Sequence, residues 1–247
     1  MSNELGVPKT VDRGTFQAAL DILHVREKAH TREGDAIAAA RRRLPMVEVD
    51  AATPLIVEQG PVTLLDAFEG RQMLIAYYFM WHAGHPAPEQ CEGCTFFTSQ
   101  VRELSYMHAR NVTYATFAQG TYEESIRYRD FMGWDEMPWY SAPQDSLDTL
   151  LAGRRVGLMY IVCYLRQRTK VFETYWTTRR GVEAMDNSYR LLDLTVYGRQ
   201  EKWEDSPSGW PQAWGESKQR MRTDGRPIAQ WSRLKAGHSD DLSTCSR

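Results

Sequence analysis

The fold is predicted from residues 73–94, MLIAYYFMWHAGHPAPEQCEGC. Residues 73–80 are an apolar run of strand length, and a ten-residue connection then leads to two cysteines separated by two residues. After the second cysteine, Phe97, Val101 and Leu104 follow at the spacing of one helix face. The stretch therefore predicts a strand, a loop and a helix whose first turn carries a CxxC motif.

The two cysteines are predicted to play different parts. Cys91 lies at or just outside the first helical turn, where it is accessible, whereas Cys94 lies on the inward face of the helix. Free backbone N–H groups and the dipole at a helix N-terminus lower the pKa of a thiol from about 8.5, although the charge of Glu92 opposes this shift. The asymmetry suits a dithiol in which one sulfur attacks and the other resolves.

The composition limits the classes of protein to consider. The chain has 247 residues, 42% of them apolar, which is enough for one large domain with appendages. A net charge of -2 and a pI near 6.3 do not favour binding to nucleic acid or to an anionic membrane surface. The sequence contains neither an apolar stretch of about 18 residues nor a basic N-terminal region followed by an apolar run. We therefore expect a cytoplasmic protein with no nucleic-acid or membrane partner.

The four cysteines are too few, in a chain this long, to form a disulfide framework. In a reducing compartment, a CxxC motif beside a strand-helix unit indicates redox or metal chemistry. Cys163 lies in an apolar strand-like run and is expected to be a small buried thiol, while Cys245 lies in a polar tail. The chemistry is therefore expected at Cys91 and Cys94.

The sequence before the apolar run predicts a helical arm and short strands. Residues 13–43 are expected to be helical, with a break at 31–34. Short strands are expected at 47–49 and 55–57, where β-branched and other apolar residues follow turn signals.

The sequence after the CxxC motif predicts alternating elements. In order, these are a helix to about Arg110, a strand at 112–118, a helix that begins at Thr121, an irregular excursion at 134–157 with a short amphipathic piece at 146–151, strands at 158–165 and 171–176, and a helix at 181–192. The long connections imply parallel strands with right-handed crossovers, and the short link between the last two strands implies an antiparallel hairpin. The order βαβα-ββα with CxxC at the start of the first helix predicts an α/β, thioredoxin-like fold, a central mixed sheet flanked by helices.

This order divides the chain into four predicted parts. They are an N-terminal helical arm at 1–45, a thioredoxin-like domain at 46–195, a C-terminal extension at 196–236 and a disordered tail at 237–247. The extension carries four tryptophans, Trp203, Trp210, Trp214 and Trp231. We expect it to pack on the domain or on a partner subunit, which is compatible with a homodimer.

Five short segments resemble one bacterial family. They are RRLPMVEVD at 42–50, FMWH at 79–82, QCEGCTF at 90–96, YRDFMGW at 128–134 and LLDLT at 191–195. These segments are similar to the "domain of unknown function 899" proteins, over about residues 30–215. The resemblance implies a thioredoxin-like fold and the activity predicted for that family, dithiol-disulfide oxidoreduction.

The sequence departs from the wider thioredoxin pattern in two places. Thioredoxins place a cis-proline just before the third strand of the fold, facing the CxxC motif, and Val156-Gly157 holds that place here. The ten-residue connection at 81–90 is also longer than the link in thioredoxins. Both departures argue against a general protein-disulfide substrate, and Trp81, Val156 and Gly157 are the candidate substrate-binding residues.

The predicted function is thiol-disulfide exchange. Cys91 is the candidate nucleophile, Cys94 the resolving thiol, and His82 an assisting base or cation at the end of the strand. The expected substrate is a thiol or disulfide, either a small molecule or a protein, and no cofactor is expected.

Two alternatives stay open. His82, His85, Cys91 and Cys94 together supply two nitrogens and two sulfurs, the ligand set of a tetrahedral zinc site or a copper carrier, although their spacing matches no strong zinc motif. The other alternative is a non-catalytic binding module that has kept the thioredoxin fold.

Overall fold

The structure is a computed structural model that describes residues 6–211 and 221–242. The chain divides into two units, one of Met1–Pro45 with Leu191–Trp214 and one of Met46–Arg190 with Gly215–Arg247. The larger unit therefore includes part of the predicted C-terminal extension. The domain boundaries at residues 45, 195 and 236 stay predictions.

The smaller unit contains one long helix, α1 (Arg13–Arg41). The break predicted at 31–34 is wrong, since α1 continues through Thr31 and Gly34 without interruption. The hydroxyl of Thr31 donates to the carbonyl of Glu27 at 3.0 Å, a bond within the helix, and Gly34 costs a helix only about 1 kcal/mol. Among the described residues, no helix is both long and apolar enough to span a membrane.

The same unit holds the start of the tryptophan-rich extension. The ring of Trp210 packs edge-on against Tyr197, with the ring centres 5.6 Å apart. The Tyr197 hydroxyl donates to the carbonyl of Gly6 at 3.2 Å, and the N–H of Gly6 donates to the carbonyl of Gly209 at 2.8 Å. Trp214 lies outside the described residues.

The larger unit is built on an eight-stranded sheet. Its strands are β1 (Val47–Val49), β2 (Pro54–Val57), β3 (Gly60–Thr63), β4 (Met73–Phe79), β5 (Val112–Ala118), β6 (Trp139–Ser141), β7 (Tyr160–Gln167) and β8 (Lys170–Thr178), in the order β1-β8-β7-β4-β5-β6-β2-β3. β4 is parallel to β5 and antiparallel to β7, which forms a hairpin with β8. A parallel βαβ unit beside an antiparallel hairpin is the predicted thioredoxin-like arrangement, and the α/β fold prediction is confirmed.

The helices after α1 are short. They are α2 (Glu92–Gln100), α3 (Ser105–His108), α4 (Tyr122–Phe131), α5 (Gln144–Leu151), α6 (Ser188–Leu192) and α7 (Ile228–Lys235). The prediction that the CxxC helix continues to Arg110 is wrong, because Val101 has extended backbone with φ -91° and ψ 109°. Residues 101–104 separate α2 from α3, and the first of them, Val101, is β-branched and has a low helix propensity. The predicted helix at 181–192 is likewise divided, into a 3₁₀ segment at Arg179–Met185 and α6.

The predicted excursion at 134–157 is more regular than the sequence indicates. The amphipathic piece predicted at 146–151 lies in α5, whose leucines are buried. The excursion also contains β6, which the sequence does not indicate and which pairs in parallel with β5. A three-residue strand is too short to show a hydrophobic period, which explains why the sequence pattern missed it.

Alternate side chains of β4 face two separate cores. Leu74, Ala76 and Tyr78 belong to one core together with the leucines of α5. Tyr77 and Phe79 belong to the other, which also contains Cys91 and Cys94. We call this second core the cysteine-side core; five aromatic rings surround Phe79 in it, those of Tyr77, Trp81, Tyr128, Trp134 and Trp139.

The predicted disordered tail begins at residue 237, and its last residues, 243–247, lie outside the described residues. The part of the tail that is described includes Leu242, which is buried in the cysteine-side core. Asp240, two residues earlier, forms an ion pair with Arg226 at 2.6 Å.

Candidate active site

Cys91 lies at the point where the connection from β4 enters α2. It is the N-cap residue of α2, and its sulfur accepts a hydrogen bond from the N–H of Cys94 at 3.4 Å. Its carbonyl accepts hydrogen bonds from both the N–H and the hydroxyl of Thr95, at 3.0 and 2.8 Å. The residue is only 9% exposed, so the prediction that Cys91 is accessible is wrong: the residue packs into the cysteine-side core. The sulfur therefore lies among the free N–H groups of a helix N-terminus, where a thiolate is stabilised.

Cys94 lies one turn further into the molecule. It has no exposed surface, and its sulfur accepts a hydrogen bond from the N–H of Met80, the residue after β4, at 3.3 Å. The sulfur of the same methionine lies 3.8 Å from the sulfur of Cys91. Both cysteine sulfurs are thus held between the end of β4 and the first turn of α2.

The surroundings shift the pKa values of the two thiols in opposite directions. A hydrogen bond from the Cys94 thiol is the main cause that lowers the pKa of Cys91; the N–H groups of Cys94 and Gly93 add to it, while burial and the charge of Glu92 oppose it. Burial is the main cause that raises the pKa of Cys94 well above its usual value, and the neighbouring Cys91 adds to it. Of the two thiols, Cys91 is therefore the one that ionises first.

We expect iodoacetamide to modify Cys91 before Cys94 in the reduced, folded protein. Because the pKa of Cys91 is lowered, its thiolate persists as the pH falls. The rate of Cys91 alkylation should therefore reach half its maximum at a pH below about 8.5, the pKa of an ordinary cysteine. Mass spectrometry of the labelled peptides across a pH series measures this midpoint. In urea, where both thiols are exposed, the two should react alike; equal modification of both in the folded protein would contradict the assignment.

The histidines of the connection bind Glu89 instead of the cysteines. Nδ1 of His82 lies 2.8 Å from the carbonyl oxygen of Glu89, and Nδ1 of His85 lies 2.7 Å from the carboxylate of the same residue. The buried side chain of Gln90 closes this loop by donating to the carbonyls of both histidines, each at 2.9 Å. Among the described contacts, neither ring is hydrogen-bonded to a cysteine sulfur, and the assisting role of His82 stays a prediction.

The ligand set of the metal alternative does not come together. In the part of the chain that the structure describes, no group of three or more His, Cys, Asp or Glu side chains could hold a metal ion. The two histidine rings are hydrogen-bonded to Glu89. The sulfur of Cys94 instead accepts the N–H of Met80, and the sulfur of Cys91 accepts the N–H of Cys94. The structure thus offers no geometric support for a zinc or copper site made of these four residues.

The three candidate substrate-binding residues lie in different surroundings. Trp81 is buried in the cysteine-side core, and its indole N–H donates to the carboxylate of Glu124 at 2.8 Å. Val156 packs on the opposite core, and the N–H of Gly157 donates to the side-chain oxygen of Gln119 at 2.8 Å. Of the three, only Trp81 shares a core with the cysteines.

Met159 approaches the CxxC motif from the loop before β7. Its terminal methyl carbon lies 3.2 Å from the place that a Cβ atom would occupy on Gly93, between the two cysteines. β7 begins at Tyr160, two residues later than predicted, so Met159 is the last residue of the loop. Had the start of β7 been predicted at Tyr160, the position just before this strand would have been assigned to Met159.

A buried polar network behind Cys91 has no signal in the sequence. The hydroxyls of Thr95 and Tyr128 lie 2.7 Å apart, and the amide of Gln230 donates to the Tyr128 hydroxyl at 2.7 Å and to the carbonyl of Ala87 at 2.8 Å. These residues come from α2, α4, α7 and the connection before Cys91. The network joins the C-terminal helix to the loop that carries the nucleophile.

The chain is similar to solved structures and to a family of bacterial proteins. One solved structure that the chain resembles is thioredoxin from Wuchereria bancrofti, at 14% identity and a TM-score of 0.35, over 57% of this chain and 90% of that chain. No curated protein matches the sequence. The model of the family described as "Bacterial protein of unknown function (DUF899)" matches residues 5–224. Because this match spans most of the sequence and agrees with the motifs found in it, the chain belongs to the DUF899 family.

Proposed function

We propose that this protein is a thiol-disulfide oxidoreductase that acts through Cys91 and Cys94. The observation that carries the proposal is the position of the Cys91 sulfur, which accepts the N–H of Cys94 at the N-terminus of α2. The lowered pKa of Cys91 and the raised pKa of Cys94 support the same assignment of roles. Cys91 ionises more readily and acts as the nucleophile, while Cys94 stays protonated until the mixed disulfide has formed.

The reaction follows from these roles. The Cys91 thiolate attacks one sulfur of a disulfide R–S–S–R, which forms a Cys91–S–S–R bond and releases RS⁻. Cys94 then loses its proton to the medium or to the released thiolate, and its sulfur attacks the sulfur of Cys91. A Cys91–Cys94 disulfide forms and the second RS⁻ leaves. The dithiol has given up two electrons, and the substrate has become two thiols.

Small disulfides are the substrate class that fits the site best. The Cys91 residue is only 9% exposed, with Met80 beside its sulfur and Met159 next to Gly93. A compact disulfide needs less open surface around the nucleophile than a disulfide held in a folded protein.

A redox titration tests the proposal. The protein is equilibrated in glutathione buffers of graded potential, and the thiols at Cys91 and Cys94 are counted by mass spectrometry. We expect a single two-electron transition between dithiol and disulfide at about -200 to -320 mV, the range of cytosolic glutathione and thioredoxin couples. A Cys163→Ser variant is the matched control and should titrate identically, because only Cys91 and Cys94 exchange electrons in the proposed reaction. Cys163 lies on β7 and is half-buried, not fully buried as predicted. Two thiols that remain reduced at every potential would refute the function.

A further inference from the structure

A C-terminal arginine binds the loop that carries the nucleophile. Arg222 lies in β9 (Arg222–Thr223), which pairs with β10 (Arg226–Pro227) ahead of α7. Its guanidinium donates to the carbonyl of Gln90 at 2.8 Å and to the carbonyl of Pro88. It also forms an ion pair with the carboxylate of Glu92, the residue after Cys91. One side chain therefore contacts the chain on both sides of Cys91.

The charge of Glu92 gives this contact a chemical consequence. An unpaired carboxylate in the first turn of α2 repels a thiolate at Cys91, and Glu92 is among the causes that raise the pKa of this thiol. The guanidinium brings a positive charge to the same place. Because the side chains of Arg222 and Glu92 are only 17% and 24% exposed, water screens this pair less than it screens a surface pair.

The segment that carries Arg222 is anchored at several points within the larger unit. Met221 is buried, and its sulfur lies 4.0 Å from the place of a Cβ atom on Gly93. Arg226 pairs with Asp240, and the buried Gln230 binds the carbonyl of Ala87. The guanidinium is therefore supported by a packed segment, and its planar fork suits simultaneous bonds to a carboxylate and to carbonyl oxygens.

We propose that Arg222 is a positioning residue for the exchange reaction, an inference that rests on the proposed function. Its guanidinium fixes the backbone from Pro88 to Glu92 and neutralises the carboxylate next to the nucleophile. The C-terminal segment is then part of the active site and not only an extension of the fold.

The test compares Arg222→Gln, Glu92→Gln and the double variant. Two quantities are measured: the pH midpoint of Cys91 alkylation, and the second-order rate constant for the reaction of the pre-reduced protein with bis(2-hydroxyethyl) disulfide. Arg222→Gln leaves Glu92 unpaired and should raise the midpoint by about one pH unit, so that exchange at pH 7 slows about tenfold. The double variant removes both charges, and its midpoint should return most of the way to that of the wild type.

Two further variants control for structure. Lys235→Gln removes a positive charge from the same segment, at the exposed last residue of α7, so it should leave the midpoint unchanged. Arg222→Lys keeps the charge but not the planar guanidinium, and its midpoint should stay near that of the wild type. Glu92→Gln leaves the guanidinium unpaired near Cys91 and should lower the midpoint, so it keeps the proposal testable if Arg222→Gln does not fold.

The outcomes separate the two proposals. If the wild type does not exchange disulfides, the proposed function fails, while the alkylation midpoints still test Arg222. If the wild type is active and Arg222→Gln keeps both its midpoint and its rate, the role of Arg222 is overturned. If the midpoint is raised equally in Arg222→Gln and in the double variant, the claim that Arg222 acts by neutralising Glu92 is overturned.

Discussion

Replacing Cys91 with serine is expected to abolish disulfide reduction, to below about 1% of the wild-type rate. A serine hydroxyl is not ionised near neutral pH, so the N–H groups at the start of α2 would have no thiolate to stabilise. Replacing Cys94 with serine should leave the first attack intact and stop the second, because no sulfur remains to release the mixed disulfide. The mercaptoethanol released from bis(2-hydroxyethyl) disulfide by the pre-reduced protein measures the loss: we expect two equivalents from the wild type, one from Cys94→Ser and none from Cys91→Ser.

The two variants should also differ in what they retain. Cys94→Ser is expected to accumulate a covalent adduct on Cys91, visible as the added mass of one mercaptoethanol group, whereas Cys91→Ser should accumulate none. Cys163→Ser, the matched control, should release mercaptoethanol like the wild type. Full activity in Cys91→Ser, or an adduct found only on Cys94, would reverse the assigned roles.

Phe79→Ala is expected to produce the largest loss of stability of the substitutions considered. Phe79 is fully buried, and five aromatic rings of the cysteine-side core lie within 6.4 Å of its ring centre. Truncating a phenylalanine in such a place removes buried apolar surface and leaves a cavity, which costs about 3–5 kcal/mol. Urea unfolding, followed by tryptophan fluorescence, measures the free energy of unfolding.

Tyr106 provides the matched control for this change. It is an aromatic residue of the same unit, on α3, and is 74% exposed. Tyr106→Ala should change the free energy of unfolding by no more than about 0.5 kcal/mol. Similar losses in the two variants would mean that Phe79 does not lie at the centre of a packed core.

The sequence predicted the parts of the fold whose signals are local. The apolar run of β4 and the capping-box spacing of Thr121 and Glu124 each lie within a few residues. The helical spacing of Phe97, Val101 and Leu104 located the start of α2 but not its end, since α2 ends at Gln100. The hydroxyl of Thr121 indeed accepts the N–H of Glu124 at the start of α4, at 3.4 Å. The three-residue strand β6 was missed because so short an element has no readable period.

The candidate site could be predicted only in its centre. Cys91 and Cys94 are three residues apart and stand out by their spacing, whereas Arg222 and Gln230 are 130 residues or more away from their partners in the active-site loop. Tertiary packing brings these distant residues together, and no periodicity records it. Met159 was missed for a different reason, an error of two residues in the start of β7.

The two ends of the eight-stranded sheet have a consequence for aggregation. Exposed strand edges are templates on which another chain can add a strand, and natural proteins protect them with short strands, charges and proline. Here β1 has three residues, and its Glu48 pairs with Lys170 of β8 at 2.9 Å. At the opposite end, β3 has four residues and includes Pro61, which has no N–H to donate. Both edges of this sheet are therefore poor templates for strand addition.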